Sequence, residues 1–138
     1  MAVSGSEYTD ITAVASTGLT GNQFYIVRST DVTSGGNLTA LLCTSATGGI
    51  NGAKGVLQND PDTGHAAIVR VSGLSKLVAS AAIGVGDFVA STTAGTGVVA
   101  ATTGAFYMGR AESASTAAGQ IISVRLSGGL APFMGSTA

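Results

Sequence analysis

Apolar residues in this chain come in short, β-branched runs of period two that glycine keeps interrupting. Such runs suit strands and lack the sustained apolar stripe that a packed helix requires. The last run is the cleanest case. Ile122, Val124 and Leu126 alternate with Ser123, Arg125 and Ser127, one set suited to a core and the other to solvent. The expected fold class is therefore all-β, a small β-barrel or sandwich of short strands with an extended N-terminal arm. Strands are expected over 23–29, 38–44, 55–58, 66–72, 75–79, 87–91, 97–101, 105–111 and 120–127. Helix has room only in one-turn pieces, such as 9–15 or 113–118, and neither carries the apolar stripe of a packed helix.

Turn chemistry supports these divisions. Asn59-Asp60-Pro61-Asp62-Thr63-Gly64 combines a proline that fixes φ, Asx side chains that bond their own backbone, and a glycine suited to positive φ. A strand must reverse there. Thr93-Ala94-Gly95-Thr96-Gly97 separates two valine-containing runs in the same way, and Ser34-Gly35-Gly36-Asn37 precedes another.

With 138 residues the chain suits one domain with one core. Only 9% of its residues are charged, against about 25% in ordinary globular domains. The formal net charge of −1 leaves little repulsion to keep copies apart. Hydrophobic residues make up 45%, enough to drive folding, so the composition is that of a chain built to sit in an assembly. Its six cations, Arg28, Lys54, Arg70, Lys76, Arg110 and Arg125, are scattered. Nucleic acid binding by counterion release needs them clustered, and anionic membrane surfaces need the same, so neither partner is expected. The stretch 74–89 is broken by Lys76, Ser80, Gly84, Gly86 and Asp87 and does not read as a membrane helix. The first residues carry neither a basic start nor an apolar stretch, so no secretory leader is expected. On that basis the Asn37-Leu38-Thr39 sequon is read as a chance match.

Several runs are apolar in both phases. Phe24 and Ile26 oppose Tyr25 and Val27, Leu41 and Cys43 oppose Leu42, Ile68 opposes Val69 and Val71, and Phe106 and Met108 oppose Tyr107. Burial on both faces is expected to mean a closed barrel wall pressed against other subunits or a larger partner. Residues 1–22 form the extended arm, rich in Ser, Thr and Gly, and 23–138 form the barrel domain with a short apolar C-terminal tail. Expected inter-subunit or partner contacts are the apolar anchors of the arm, Tyr8, Ile11, Val14 and Leu19, with Leu130, Pro132 and Phe133 at the far end.

Residues able to do chemistry are few. Cys43 is the single cysteine and sits in an apolar run, which reads as a buried small hydrophobe in a fold without an internal disulfide. His65, the single histidine, follows a turn and reads as solvated. Neither accompanies a Gly-x-Ser-x-Gly nucleophile elbow. Asp60-Pro61-Asp62-Thr63-Gly64 resembles the opening of a calcium loop but lacks the later bidentate Glu, and is read as a turn. Gly49-Ile50-Asn51-Gly52-Ala53-Lys54-Gly55 is loop-like, yet its Lys precedes Gly instead of Ser or Thr, so it is not a phosphate-binding Walker loop. No enzyme, cofactor or metal is expected.

From Gly55 onward the order of segments resembles the capsid decoration, or cement, proteins of tailed bacteriophages. The resemblance is carried by Gly55-Val56-Leu57-Gln58, Ala67-Ile68-Val69-Arg70-Val71-Ser72-Gly73, Ile83-Gly84-Val85-Gly86-Asp87-Phe88-Val89, Met108-Gly109-Arg110-Ala111 and Ile121-Ile122-Ser123-Val124-Arg125-Leu126. It implies a virion structural protein that is made in the host cytoplasm and binds the outer surface of the phage head. It further implies a homotrimer that clamps neighbouring major capsid subunits, with the N-terminal segment reaching onto the shell and adding a strand to a capsid sheet. The alternative is a carbohydrate- or receptor-binding β-barrel module of a phage fibre, for which Tyr8, Tyr25 and Tyr107 would supply the aromatic platform.

Overall fold

The computed structural model describes residues 8–16, 19–29, 36–42, 53–100 and 106–130. Among these residues nine strands form one mixed sheet: β1 (Tyr8–Ala15), β2 (Ile26–Arg28), β3 (Thr39–Leu42), β4 (Ala53–Leu57), β5 (Ala66–Val78), β6 (Phe88–Ser91), β7 (Gly97–Val99), β8 (Phe106–Ala111) and β9 (Ile121–Leu130). The all-β class expected from the alternation is what the chain adopts. No helix among the described residues is long and apolar enough to cross a membrane.

The strand order is β1-β3-β2-β4-β5-β9-β8-β6-β7, and a further pairing of β1 with β5 closes the first five strands into a ring. β1 runs antiparallel to β5 from Tyr8↔Gly73 to Val14↔Ala66 and meets β3 in parallel at Val14↔Thr39 and Ala15↔Ala40. So narrow a barrel admits its larger side chains only where small ones lie beside them. Ala13, Ala15, Ala40 and Ala67 accordingly fill it with Leu19, Val27, Leu57 and Val69. The remaining strands curl into a second lobe, where a single parallel bridge from Ala79 to Gly97 brings β7 back against the end of β5.

β5 belongs to both lobes. Its first half pairs with β1 and β4, its second half with β9, and the change falls at Gly73, which pairs with both Tyr8 and Leu126. Gly73 has φ 92°, a bend that a side chain would resist. The two strands expected over 66–72 and 75–79 are thus one bent strand, because hydrogen bonding continues through the glycine.

Among the described residues the expected single core is two. Ile26 and Val56 pack with Leu77, Val89, Ile122, Val124 and Leu126 in the second lobe, whereas their sequence neighbours Val27 and Leu57 point into the barrel. The two-phase apolar pattern of β2 is therefore satisfied within the chain at Ile26 and Val27, and Val56 and Leu57 of β4 divide in the same way. β1 is a second correction. The segment 9–15 is strand and not a helical turn, and within the expected arm 1–22 the described residues 8–15 are built into the sheet. Their hydrogen bonds reach well beyond the arm: Val14 N–H donates to the Leu38 carbonyl at 2.7 Å and Ala15 N–H to the His65 carbonyl at 2.9 Å. Residues 113–118 hold no helix either; Ser113 Oγ instead accepts from the Ser123 N–H at 2.9 Å.

The turn at 59–64 reverses the chain between antiparallel β4 and β5, with Gly64 at φ 85°. Asn59 bonds across the hairpin and not within the turn as expected, accepting from the Ile68 N–H at 2.9 Å and donating to the Ala66 carbonyl at 3.0 Å.

Candidate functional site

β5 alternates Val69 and Leu77 into the two cores with Ile68, Leu74 and Lys76 toward solvent. This phase puts its two cations on an accessible face, where neighbouring strands add aromatic rings. Tyr8 opens β1 with 55% of its surface exposed, and the Arg70 guanidinium lies 3.7 Å from its ring centroid. Arg70 also donates to Asp10 through Nε at 2.8 Å and Nη2 at 3.2 Å, and to the Leu74 carbonyl through Nη1 at 3.0 Å. The Asp10 hydrogen bonds hold Arg70 above its ordinary pKa against a smaller opposing effect of burial. Arg70 is thereby fixed in place, tying β1 to β5 beside the bend at Gly73.

Next to it lies an open groove of about 350 Å³ lined by Phe24, Gln58, Arg70, Leu74, Ser75, Lys76 and Ser123. Phe24 forms one wall with φ 69°, the one non-glycine residue at positive φ among those described. For a bulky side chain this costs on the order of 1–3 kcal/mol. Two backbone hydrogen bonds impose it, from Phe24 N–H to the Leu57 carbonyl at 2.7 Å and from Val78 N–H to the Phe24 carbonyl at 3.0 Å. Lys76 extends its ammonium to 5.7 Å from the Phe24 ring centroid. The floor is polar and satisfied: Gln58 Nε2 donates to Ser75 Oγ at 2.8 Å, and Ser75 Oγ donates to the Lys76 carbonyl.

The contact residues expected from sequence are distributed over several environments. Tyr8 is exposed at this face. Ile11 and Val14 are half-buried along β1, with Ile11 packed on the barrel core. Leu19 is 1% exposed and belongs to that core, so its side chain is committed inside the domain. Leu130 ends β9 opposite Phe106. Pro132 and Phe133 lie outside the described residues, as do Cys43 and 49–52 of the loop-like segment. Of the three tyrosines, Tyr25 and Tyr107 are half-buried, the latter with its ring centroid 4.6 Å from that of Phe88.

His65 is exposed, and Asp60 spends Oδ1 on the Gly21 N–H at 2.6 Å. Among the described residues no group of three His, Cys, Asp or Glu is placed to hold a metal ion. The residues that build the groove, Phe24, Arg70, Leu74 and Lys76, escape a motif search because they are ordinary residues far apart in sequence. The sequence carried no signal that joins them: Arg70 and Lys76 fell in two separate expected strands with Leu74 between, and only the continuous bent β5 puts the three on one face.

No family model matches the sequence, and no curated protein does. Among solved structures, the chain is similar to the crystal structure of the head fiber gp8.5 N base of bacteriophage phi29. Identity is 17%, the TM-score is 0.64, and the match covers 88% of this chain and 95% of that one. At that identity the likeness is one of fold.

Proposed function

We propose that this chain is a bacteriophage virion structural protein that docks on the outer surface of the head and bridges neighbouring major capsid subunits. The observation that carries the reading is the fold, shared over nearly the whole chain with a protein described as the base of a head fibre. Composition agrees with it: a chain with 9% charged residues suits dry, repeated contacts more than solitary life in solution. Repetition over a shell also lets modest single-site affinity suffice through avidity. A homotrimer is the favoured state, on the resemblance to decoration proteins.

Co-sedimentation with purified heads lacking the protein tests the reading. The chain is expected to pellet with heads and to raise the temperature at which they release their genome; failure to pellet at saturating concentration overturns it. Sedimentation velocity of the free chain distinguishes a trimer from a monomer or open-ended growth.

The exposed ring of Tyr8, beside the fixed guanidinium of Arg70, favours a second reading as a fibre module that binds carbohydrate or a receptor. Glycan-array binding that is lost in Tyr8→Ala, together with indifference to heads, would establish it instead. In neither reading does the chain carry out a reaction. Replacing Cys43 and His65 together by Ala is expected to leave attachment unchanged.

A further inference from the structure

The geometry points to the Phe24–Leu74–Lys76 groove as the docking surface for an extended, acidic segment of a shell subunit, an inference that rests on the head-binding reading above. Charge complementarity selects the occupant. The groove is lined by two cations and no carboxylate, and Arg70 is already engaged by Asp10. Lys76 has no carboxylate within 4.0 Å among the described residues, and its ammonium lies over the face of Phe24. Lys76 is exposed, so an incoming carboxylate reaches its ammonium without having to displace another anion.

Spacing selects an extended backbone. Leu74 and Lys76 lie two residues apart on one face of β5, so an apolar contact and a charged contact repeat at the strand period of about 7 Å. A partner segment in extended conformation, carrying an apolar side chain and an Asp or Glu two residues away, places one on Leu74 and Phe24 and the other on Lys76. The partner's apolar side chain covers Leu74, which is 36% exposed.

Rigidity supports the assignment. Arg70 Nη1 holds the Leu74 carbonyl, Ser75 Oγ holds the Lys76 carbonyl, and two backbone hydrogen bonds lock Phe24 at positive φ. The surface is thus formed before the partner arrives, and little ordering entropy opposes docking.

Binding of Lys76→Glu, Lys76→Arg, Leu74→Ser and Lys54→Glu to purified heads lacking the protein tests the inference, with thermal melting confirming that each variant is folded. Lys54 is exposed on β4 and is not among the groove residues, so Lys54→Glu matches Lys76→Glu in net charge. Lys76→Glu is expected to weaken binding by about tenfold or more, Leu74→Ser to weaken it measurably, and Lys76→Arg and Lys54→Glu to change it little. Added salt is expected to weaken wild type and to strengthen what binding Lys76→Glu retains, since it screens the repulsion between the new carboxylate and the acidic segment. Equal loss in Lys54→Glu and Lys76→Glu, or no loss in either, overturns the groove while leaving head binding in place. Loss of self-association in Lys76→Glu with head binding intact assigns the groove to a second copy and also overturns it. If wild type itself ignores heads, the parent reading fails, and this one with it.

Discussion

Gly109 on β8 lies so close to the Arg125 carbonyl on β9 that a Cβ there would overlap that oxygen. Gly55 on β4 stands in the same relation to the Arg70 carbonyl. Both glycines are buried, and both contacts are with backbone held in a ladder, which cannot step aside as a flexible side chain could.

Gly55→Ala and Gly109→Ala are therefore each expected to destabilise the fold by about 3 kcal/mol in urea titration, the upper part of the range for overpacking. Gly64→Ala is the contrast. At φ 85° with nothing within 4 Å of the new Cβ, it meets only the left-handed backbone penalty and should cost about 1–2 kcal/mol.

The division into two cores predicts a pattern of additivity. Leu57→Ala in the barrel and Ile122→Ala in the second lobe are each expected to cost about 2–5 kcal/mol. Combined, they should add, because they share no core. Leu77→Ala with Ile122→Ala should depart from additivity, since those residues oppose one another across β5 and β9 and pack in one core. Denaturant midpoints of the singles and the two doubles measure this; coupling as large for Leu57 with Ile122 as for Leu77 with Ile122 would contradict the two-core arrangement.

Arg70 and Asp10 stand 60 positions apart in sequence and join β1 to β5 at 2.8 Å. Their side chains keep only 18% and 25% of their exposure, yet solvent still screens them, so a double-mutant cycle with Ala at both positions is expected to give a coupling of about 1 kcal/mol. Repeating the cycle at high salt should lower that value. The lost stack on Tyr8 should add to the cost of Arg70→Ala alone.

Truncation separates an arm from a barrel strand. Removing residues 1–15 deletes β1, opens the ring at its β1–β5 seam and strips Ala13 and Ala15 from the core. Loss of cooperative thermal unfolding is expected, not a folded domain that merely fails to attach. Removing residues 1–7 takes away none of the described pairings, and the melting transition should survive it.

The amino-acid order determined what depends on neighbours in the chain. Alternation in 122–126 placed Ile122, Val124 and Leu126 inward and Arg125 outward, as found. Pro61 and Gly64 marked the β4–β5 reversal, because φ preference is a local property, whereas Asn59 closes it by bonding across to Ala66 and Ile68. Pairing between distant segments has no such local signature. Thr9-Asp10-Ile11-Thr12-Ala13-Val14 suits an arm as well as a strand, and only closure against β5 and β3 decided between them. Both phases of 26–27 and 56–57 were visibly apolar, but not that the second layer covering them would come from the same chain. Gly73 looked like a strand break until pairing with β9 carried β5 through it. The positive φ of Phe24, which no aromatic residue announces, is imposed by Leu57 and Val78 from outside its own segment. The groove that Phe24 shapes with Leu74 and Lys76 is accordingly a product of tertiary structure: a strained backbone persists only where non-local hydrogen bonds hold it.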